Sequence, residues 1–361
     1  MKRRALFAAG GTGGHIFPAR ATAGELVSRG WRVRLVTDVR GRVHAEDFPG
    51  DAPLVIEAAS PFQKNPLRAA KALVSLARGF GATRDTMAEF NPDVVAGFGG
   101  YPAFPALAAA RLSGTPFVIH EQNAVLGRVN RLFAGSAFAV ASGFETLERL
   151  KPGTRREVTG NPLRAPILEA VADYTAPEAE GDIRLLVVGG SLGARLLSLT
   201  VPKALAQLPA GLRKRLRVVQ QTRKETLAEA RAIYDAAGVK AELAPFFSDM
   251  GALYRDAHLV ISRAGASSVS EIAAMGRPAI FVPLGIAMDD HQTANVRNLV
   301  AAGAAIAIAE PEFAADMLSA RLETALSDSE ALAAQAEAAR AAGRLDAHIR
   351  LADLMTAACR D

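Results

Sequence analysis

The sequence predicts an α/β protein of two doubly wound, Rossmann-like domains, each on a mostly parallel sheet. Three observations carry this. Short aliphatic runs repeatedly lead into glycine-rich turns and then helical stretches, the order a parallel sheet with crossover helices requires. The pattern restarts near residue 183, where a second strand feeds a second glycine loop. The chain has 361 residues, half of them hydrophobic, which suffices for two cores.

Residues 5–9 read as the first strand, running into Gly10-Gly11-Thr12-Gly13-Gly14, with a helix beginning near Pro18. Strands at 33–37, 94–96 and 117–120 follow. The last two end in Gly97-Phe98-Gly99-Gly100 and in Glu121-Gln122-Asn123. In the second half, 183–188 ends in Gly189-Gly190-Ser191-Leu192-Gly193, and 216–220, 259–262 and 279–282 complete the strand set. Between the halves, Gly160-Asn161-Pro162-Leu163-Arg164-Ala165-Pro166 is punctuated by proline, and 173–182 holds four acids and no base. The boundary is placed there, giving domains of 1–162 and 163–345. The Ala-rich tail spaces Leu345, Ile349 and Ala352 at i, i+4 and i+7, the pattern of a core-facing helix.

Composition narrows the function classes. A single cysteine, Cys359, excludes an internal disulfide framework and a Cys-based zinc site, and suits a reducing compartment. Lys plus Arg is 42 against 37 Asp plus Glu, a net +5 that suits an anionic ligand or membrane surface and does not imply nucleic acid. Met1-Lys2-Arg3-Arg4 imitates the start of a signal peptide, but glycines end the apolar run behind it at Ala9. No run of roughly 18 apolar residues spans a bilayer.

A strand running into a glycine turn and a helix aims backbone N–H groups and a partial positive charge outward, which suits phosphate; glycine lets the ligand approach. A tight turn with no ligand is the alternative. A nicotinamide fingerprint fails because Ile16 stands where Gly11-Thr12-Gly13 would need its third glycine, which leaves Asp38 poor evidence for that cofactor. No Gly-Lys-Ser/Thr follows either loop and no Asp-x-Asp occurs, so neither a P-loop nor a metal-held nucleotide diphosphate is indicated. His15 follows the first loop and is either a general base or a hydrogen-bonding partner of the loop backbone. His120-Glu121-Gln122-Asn123 is a second polar cluster at a strand end, and a satisfied hydrogen-bond network is its plainer reading. Ser270 and Glu271 are expected in the first turn of a helix. There Glu271 either complements the helix N-terminus or accepts both hydroxyls of a ribose. Asp289-Asp290-His291 lacks further ligands at metal spacing.

Seven segments in order resemble the MurG family of peptidoglycan glycosyltransferases. They are Gly10-Gly11-Thr12-Gly13-Gly14-His15, Gly99-Gly100-Tyr101-Pro102, His120-Glu121-Gln122-Asn123, Gly160-Asn161-Pro162-Leu163-Arg164, Gly189-Gly190-Ser191-Leu192-Gly193-Ala194-Arg195, Ser270-Glu271 and Asp290-His291-Gln292-Thr293-Ala294-Asn295. The resemblance covers nearly the whole chain. It implies the GT-B fold, two Rossmann-like domains facing a cleft, with the helix from about 346 to 361 packing back on the first. It implies inverting, metal-independent transfer of N-acetylglucosamine from UDP-N-acetylglucosamine to the C4 hydroxyl of lipid I, giving lipid II, with no cofactor. It implies donor contacts from Gly190 and Ser191 to the diphosphate, with Arg164 nearby. Gly265, Ala266, Ser267, Ser268, Val269 and Ser270 supply the backbone around the nucleotide, and Glu271 takes the ribose. Backbone at Phe246 or Phe247 meets uracil, and His291 and Gln292 meet the sugar. Thr12, Gly13, Gly14 and Asn123 approach the reaction centre, with His15 as base. Ser267-Ser268 replaces a bulkier aliphatic plus Thr common in the family, at positions that act through backbone.

The resemblance further implies a peripheral protein on the cytoplasmic face of the bacterial inner membrane, with other cell-wall enzymes as partners. Residues 63–84 suit that, with Lys64, Arg68, Lys71, Arg78 and Arg84 and no acid. At 100° per residue, the first four of these cations share one stripe, while Leu67, Leu73, Val74, Leu76 and Phe80 supply apolar surface. An ordinary sheet-covering helix is the alternative. Two rival functions remain open to the sequence: another GT-B UDP-sugar enzyme, such as a UDP-N-acetylglucosamine 2-epimerase, and a non-catalytic nucleotide-sugar-binding module.

Overall fold

The computed structural model describes residues 2–58, 65–190, 195–285 and 287–359, without the side chains of 68, 69 and 288. It divides into two compact units, Met1–Arg164 with Leu345–Asp361, and Ala165–Arg344.

Unit 1 opens with β1 (Arg4–Ala8), α1 (Gly13–Ser28), β2 (Arg32–Asp38), β3 (Asp51–Ile56) and α2 (Pro66–Phe90). It continues with β4 (Val94–Gly97), α3 (Ala103–Ser113), β5 (Phe117–Glu121), α4 (Arg128–Phe133), β6 (Ala139–Ser142) and β7 (Arg156–Val158). The sheet order is β3-β2-β1-β4-β5-β6-β7, and every pairing is parallel. Strands covered on both faces need continuous apolar runs, and β1, β4, β5 and β6 are buried almost throughout.

Unit 2 begins with α5 (Ala165–Glu169), β8 (Ile183–Val188), α6 (Arg195–Ala206), α7 (Ala210–Arg215), β9 (Leu216–Gln221), α8 (Leu227–Ala237), β10 (Lys240–Ala244) and α9 (Met250–Asp256). It ends with β11 (Leu259–Ser262), α10 (Ala266–Ala274), β12 (Ala279–Phe281), α11 (His291–Ala301), β13 (Ala305–Ala307), α12 (Ala315–Leu326) and α13 (Ser329–Ala342). Its order, β10-β9-β8-β11-β12-β13, is again wholly parallel. Part of the acidic stretch read as linker is pinned to this unit. The Tyr174 hydroxyl donates to the His258 carbonyl at 3.0 Å, and the fully buried Arg277 donates to the carbonyls of Tyr254 and Ala172 at 2.9 and 3.0 Å.

The last helix, α14 (Ala347–Ala358), belongs to unit 1. Leu351, Leu354 and Met355 join one hydrophobic cluster with Phe7, Ile16, Ala23 and Leu26, and Asp353 accepts from Arg29 at 2.6 Å.

Two helices start earlier than the sequence suggested. α1 begins at Gly13 rather than near Pro18, because the glycines themselves adopt helical backbone and Thr12 serves as N-cap. α10 begins at Ala266, so Ser270 and Glu271 lie in its second turn rather than its first. Glu271 is therefore too deep to complement the helix N-terminus, whose influence fades within one turn.

Leu351→Ala removes a fully buried side chain from the α14 seam. It is expected to lower the urea-unfolding free energy of unit 1 by about 3 kcal/mol; an unchanged midpoint would contradict this packing.

Candidate active site

In each sheet the strand order reverses at one place, between β1 and β4 in unit 1 and between β8 and β11 in unit 2. Connections leave such a point toward opposite faces, so a crevice opens at the carboxyl ends of the two strands. Register puts Ala8 beside Gly97 and Val188 beside Ser262. The glycine loops read from the sequence therefore emerge in pairs, one pair per unit.

In unit 1, Gly11 and Gly99 hold φ of +83° and Gly100 +71°, values that a side chain disfavours. The first loop is braced from β2. The Asp38 carboxylate accepts the N–H groups of Gly11 and Gly41, each at 2.8 Å, and pairs with Arg40 at 3.2 Å. Asp38 thus supports the loop itself. Thr12 is exposed, and its side chain does not cap the helix; Gly13 and Gly14 open the first turn.

His15 lies half-buried between the two loops. Its Nδ1 is 3.0 Å from the Gly10 carbonyl, and its Nε2 is 3.6 Å from the point where a Cβ on Gly99 would sit. The carbonyl can only accept, so Nδ1 carries the proton and Nε2 keeps its lone pair. Burial lowers the His15 pKa, against the opposing charges of Glu121 and Asp38 and the Gly10 carbonyl. A lowered pKa favours the neutral imidazole. The hydrogen bond to the loop backbone that the sequence allowed is present at Nδ1.

The second polar cluster divides. Glu121 is buried and accepts from Asn123 N at 3.1 Å, Gly127 N at 2.8 Å and Asn130 Nδ2 at 2.8 Å, which shapes the loop from β5 to α4. His120 is a strut: Gln122 Nε2 donates to its Nδ1 at 3.0 Å, and its Nε2–H donates to the Gly160 carbonyl at 3.1 Å. Burial pushes His120 down to about 4, against the opposing hydrogen bond to the Gly160 carbonyl, with a smaller lowering from the neighbouring His15. Asn123 is half-buried, its side chain 3.4 Å from Glu121. Arg164 is the last residue of the first segment of unit 1, its guanidinium 5.2 Å from the Phe17 ring, and Phe17 itself packs against Gly13.

In unit 2, Gly190 has φ +80°, and no described residue comes within 4 Å of a notional Cβ there; Ser191 lies outside the described residues. Beside it, Gly265 is the N-cap of α10, and among the described residues no atom lies within 4 Å of a notional Cβ there. Ala266 and Val269 are buried, Ser267, Ser268 and Ser270 half-buried, and Glu271 is 6% exposed. Phe246 is exposed and Phe247 half-buried on the loop after β10. His291 and Gln292 open α11, both half-buried. The Gln292 Oε1 accepts the Leu284 N–H at 3.0 Å, which turns its NH2 away from the loop backbone. Asp289 and Asp290, at φ +58° and +51°, precede them.

Sequence reasoning missed Gln221. Its Oε1 accepts the Gly189 N–H and its Nε2 donates to the Pro245 carbonyl, both at 3.1 Å, so one side chain ties the glycine loop to the Phe246 loop. Its partners lie 32 and 24 residues away, and no local motif marks it.

On unit 1, α2, α3 and α4 enclose an apolar groove of about 780 Å³ lined by Leu73, Leu76, Phe80, Phe104 and Leu132, with Arg128 and Arg131. Lys71 and Arg78 are exposed on α2; Lys64 and the Arg68 side chain lie outside the described residues. No helix among the described residues is long and apolar enough to cross a membrane.

Residues 5–142 match the glycosyltransferase family 28 N-terminal domain, and 184–351 the glycosyltransferase family 28 C-terminal domain. A UDP-N-acetylglucosamine--N-acetylmuramyl-(pentapeptide) pyrophosphoryl-undecaprenol N-acetylglucosamine transferase of Maricaulis maris is 60% identical over 97% of this chain and 96% of its own length. The Caulobacter vibrioides protein of the same description is 47% identical over 100% of both. The crystal structure of Acinetobacter baumannii MurG superimposes with a TM-score of 0.79 at 33% identity, covering 98% of this chain and 99% of that one.

The His120 strut has a pH signature. Unfolded His120 titrates near 6.5. Below that the unfolded chain takes up a proton that the folded chain refuses until about pH 4. Stability therefore falls as pH falls through this window, by about 3 kcal/mol for this group. Urea unfolding between pH 7 and 4.5 should show a shallower decline in His120→Gln than in the parent; equal slopes would contradict the assignment.

Proposed function

The chain belongs to glycosyltransferase family 28, and on that basis we propose how its two units divide the reaction. It transfers N-acetylglucosamine from UDP-N-acetylglucosamine to N-acetylmuramyl-(pentapeptide) pyrophosphoryl-undecaprenol, a step of peptidoglycan synthesis that releases UDP. Unit 2 binds the donor and unit 1 the lipid-linked acceptor. The observation that carries this division is the pairing of Val188 with Ser262. It sets the Gly189-Gly190 loop beside the open N-terminus of α10 at the reversal of strand order.

Backbone amides after β8, at Gly190 and through Ser191, and those opening α10 at Gly265–Ser268 meet the diphosphate; Arg164 adds a charge-assisted contact. Glu271 accepts the two ribose hydroxyls, and backbone at Phe246 or Phe247 meets uracil. Gln221 holds those two loops in one register. Gln292 donates through its NH2 to the hydroxyls of the sugar, with His291 beside it.

The acceptor's C4 hydroxyl attacks the anomeric carbon from the face opposite the phosphate, so configuration inverts. The new bond is C1–O4. The C1–phosphate oxygen bond breaks and its electron pair leaves on UDP, where the amides and helix end stabilise the developing charge. The hydroxyl proton goes to His15 Nε2, and the Gly10 carbonyl supports the imidazolium through Nδ1–H. Thr12, Gly13, Gly14 and Asn123 line the acceptor side. This chemistry calls for no divalent ion.

Because the acceptor is lipid-linked, unit 1 docks on an anionic membrane surface from the cytoplasmic side. The apolar groove at Leu73, Phe80 and Leu132 and the cations Lys64, Arg68, Lys71 and Arg78 support that reading.

Incubation with UDP-N-acetylglucosamine and a lipid I analogue should give UDP and disaccharide, undiminished by a chelator. His15→Ala should cut turnover by ~10² while UDP binding persists; near-normal turnover removes His15 as base. Reversing Lys64, Arg68 and Lys71 to Glu should weaken binding to anionic vesicles, and unchanged binding would move the docking surface elsewhere.

A further inference from the structure

Beyond Val282 the chain leaves the unit 2 sheet. Val282 N–H makes the last ladder-like bond, to the Ser262 carbonyl at 2.8 Å. The next backbone groups must find other partners or carry the cost of burial without one. Three side chains from three places in the fold supply them. Arg263, 8% exposed at the end of β11, donates through Nη1 to the carbonyls of Val282 at 3.2 Å and Pro283 at 3.4 Å. Both of its terminal nitrogens reach the Glu310 carboxylate, at 3.2 and 3.3 Å. Glu310 Oε2 also accepts the Gly285 N–H at 2.9 Å. Between these anchors, the Leu284 N–H is held by Gln292 Oε1.

These contacts fix an orientation as well as a backbone. An N–H can only donate, so the Leu284 contact requires the Gln292 oxygen to face the loop and its NH2 to face away. Leu284 sits between Pro283 and Gly285, each bonded to one member of the Arg263–Glu310 pair. Two consecutive aspartates in left-handed backbone, Asp289 and Asp290, lead into Gln292. Backbone of that kind persists only where its surroundings over-determine it. The Gly285 N–H holds the Glu310 carboxyl below the usual carboxylate range against the opposing effect of burial, and Arg263 lowers it further.

We propose that Arg263 and Glu310 are a positioning pair that sets sugar specificity: by holding Val282–Gly285 they orient the Gln292 amide toward the hydroxyls of the donor sugar. The proposal rests on the reading that Gln292 meets that sugar. Neither member of the pair touches substrate. A site whose hydrogen-bond donors are fixed in direction rejects a sugar whose hydroxyl points the other way, and a freely turning amide does not.

The test is steady-state kinetics with UDP-N-acetylglucosamine and its C4 epimer, together with inhibition by UDP, on the full chain and on Glu310→Ala, Arg263→Lys and Gln292→Ala. Loss of the pair should lower the preference for UDP-N-acetylglucosamine over the epimer roughly tenfold, while the UDP inhibition constant stays within about twofold. A merely structural role would weaken UDP and both sugar nucleotides together. If Glu310→Ala does not fold, Glu310→Gln carries the same comparison, since it keeps an oxygen for Gly285 and loses the charge that Arg263 pairs with. Unchanged preference in both pair variants, with preference lost in Gln292→Ala, overturns the positioning pair alone. Unchanged preference in Gln292→Ala overturns the placement of the sugar and the proposal with it. UDP inhibition weakened in step with sugar preference also overturns it.

Discussion

Parallel hydrogen bonding between strands that are not neighbours in sequence, β1 with β4 and β8 with β11, is the constraint on which both candidate surfaces depend. A parallel pair needs a long crossover, and the two crossovers that meet at such a pair depart toward opposite faces. Between them, the carboxyl ends of the strands stay uncovered. The glycine turns after β1, β4 and β8 emerge at these edges.

Those loops would be poorly defined without carboxylates placed behind them. Asp38 holds two amides of unit 1, Glu121 organises the turn after β5, and Glu310 holds Gly285 in unit 2. In each case an acidic side chain at or just beyond a strand end accepts backbone N–H groups that no ladder satisfies, a charge-assisted bond stronger than a neutral one. Loops held in this way are preorganised, and fixed dipoles need little reorganisation when charge develops beside them.

The histidines show how environment separates chemically identical groups. His15 and His120 stand near one another in unit 1, and burial lowers both pKa values. His120 spends both ring nitrogens on protein partners, which makes it a strut. His15 spends one, which leaves Nε2 beside Gly99. Proton transfer requires that unspent nitrogen, and only the contacts distinguish the two residues.

The sequence by itself determined the fold class, the glycine turns at 10–14, 97–100 and 189–190, and the identity of His15 and Glu271 as residues of interest. All of these are written locally, in hydrophobic runs and turn chemistry a few residues long. It misplaced the starts of α1 and α10, because glycine and serine are weak helix formers by propensity and tertiary packing overrides that preference at a helix N-terminus. Only the tertiary structure decided that Asp38 braces a loop, that Gln221 joins two others, and that Arg263 and Glu310, 47 residues apart, hold a third. Those pairings come from strand order and register, which bring distant segments to one sheet edge, and no local pattern in a chain encodes which strand will lie beside which.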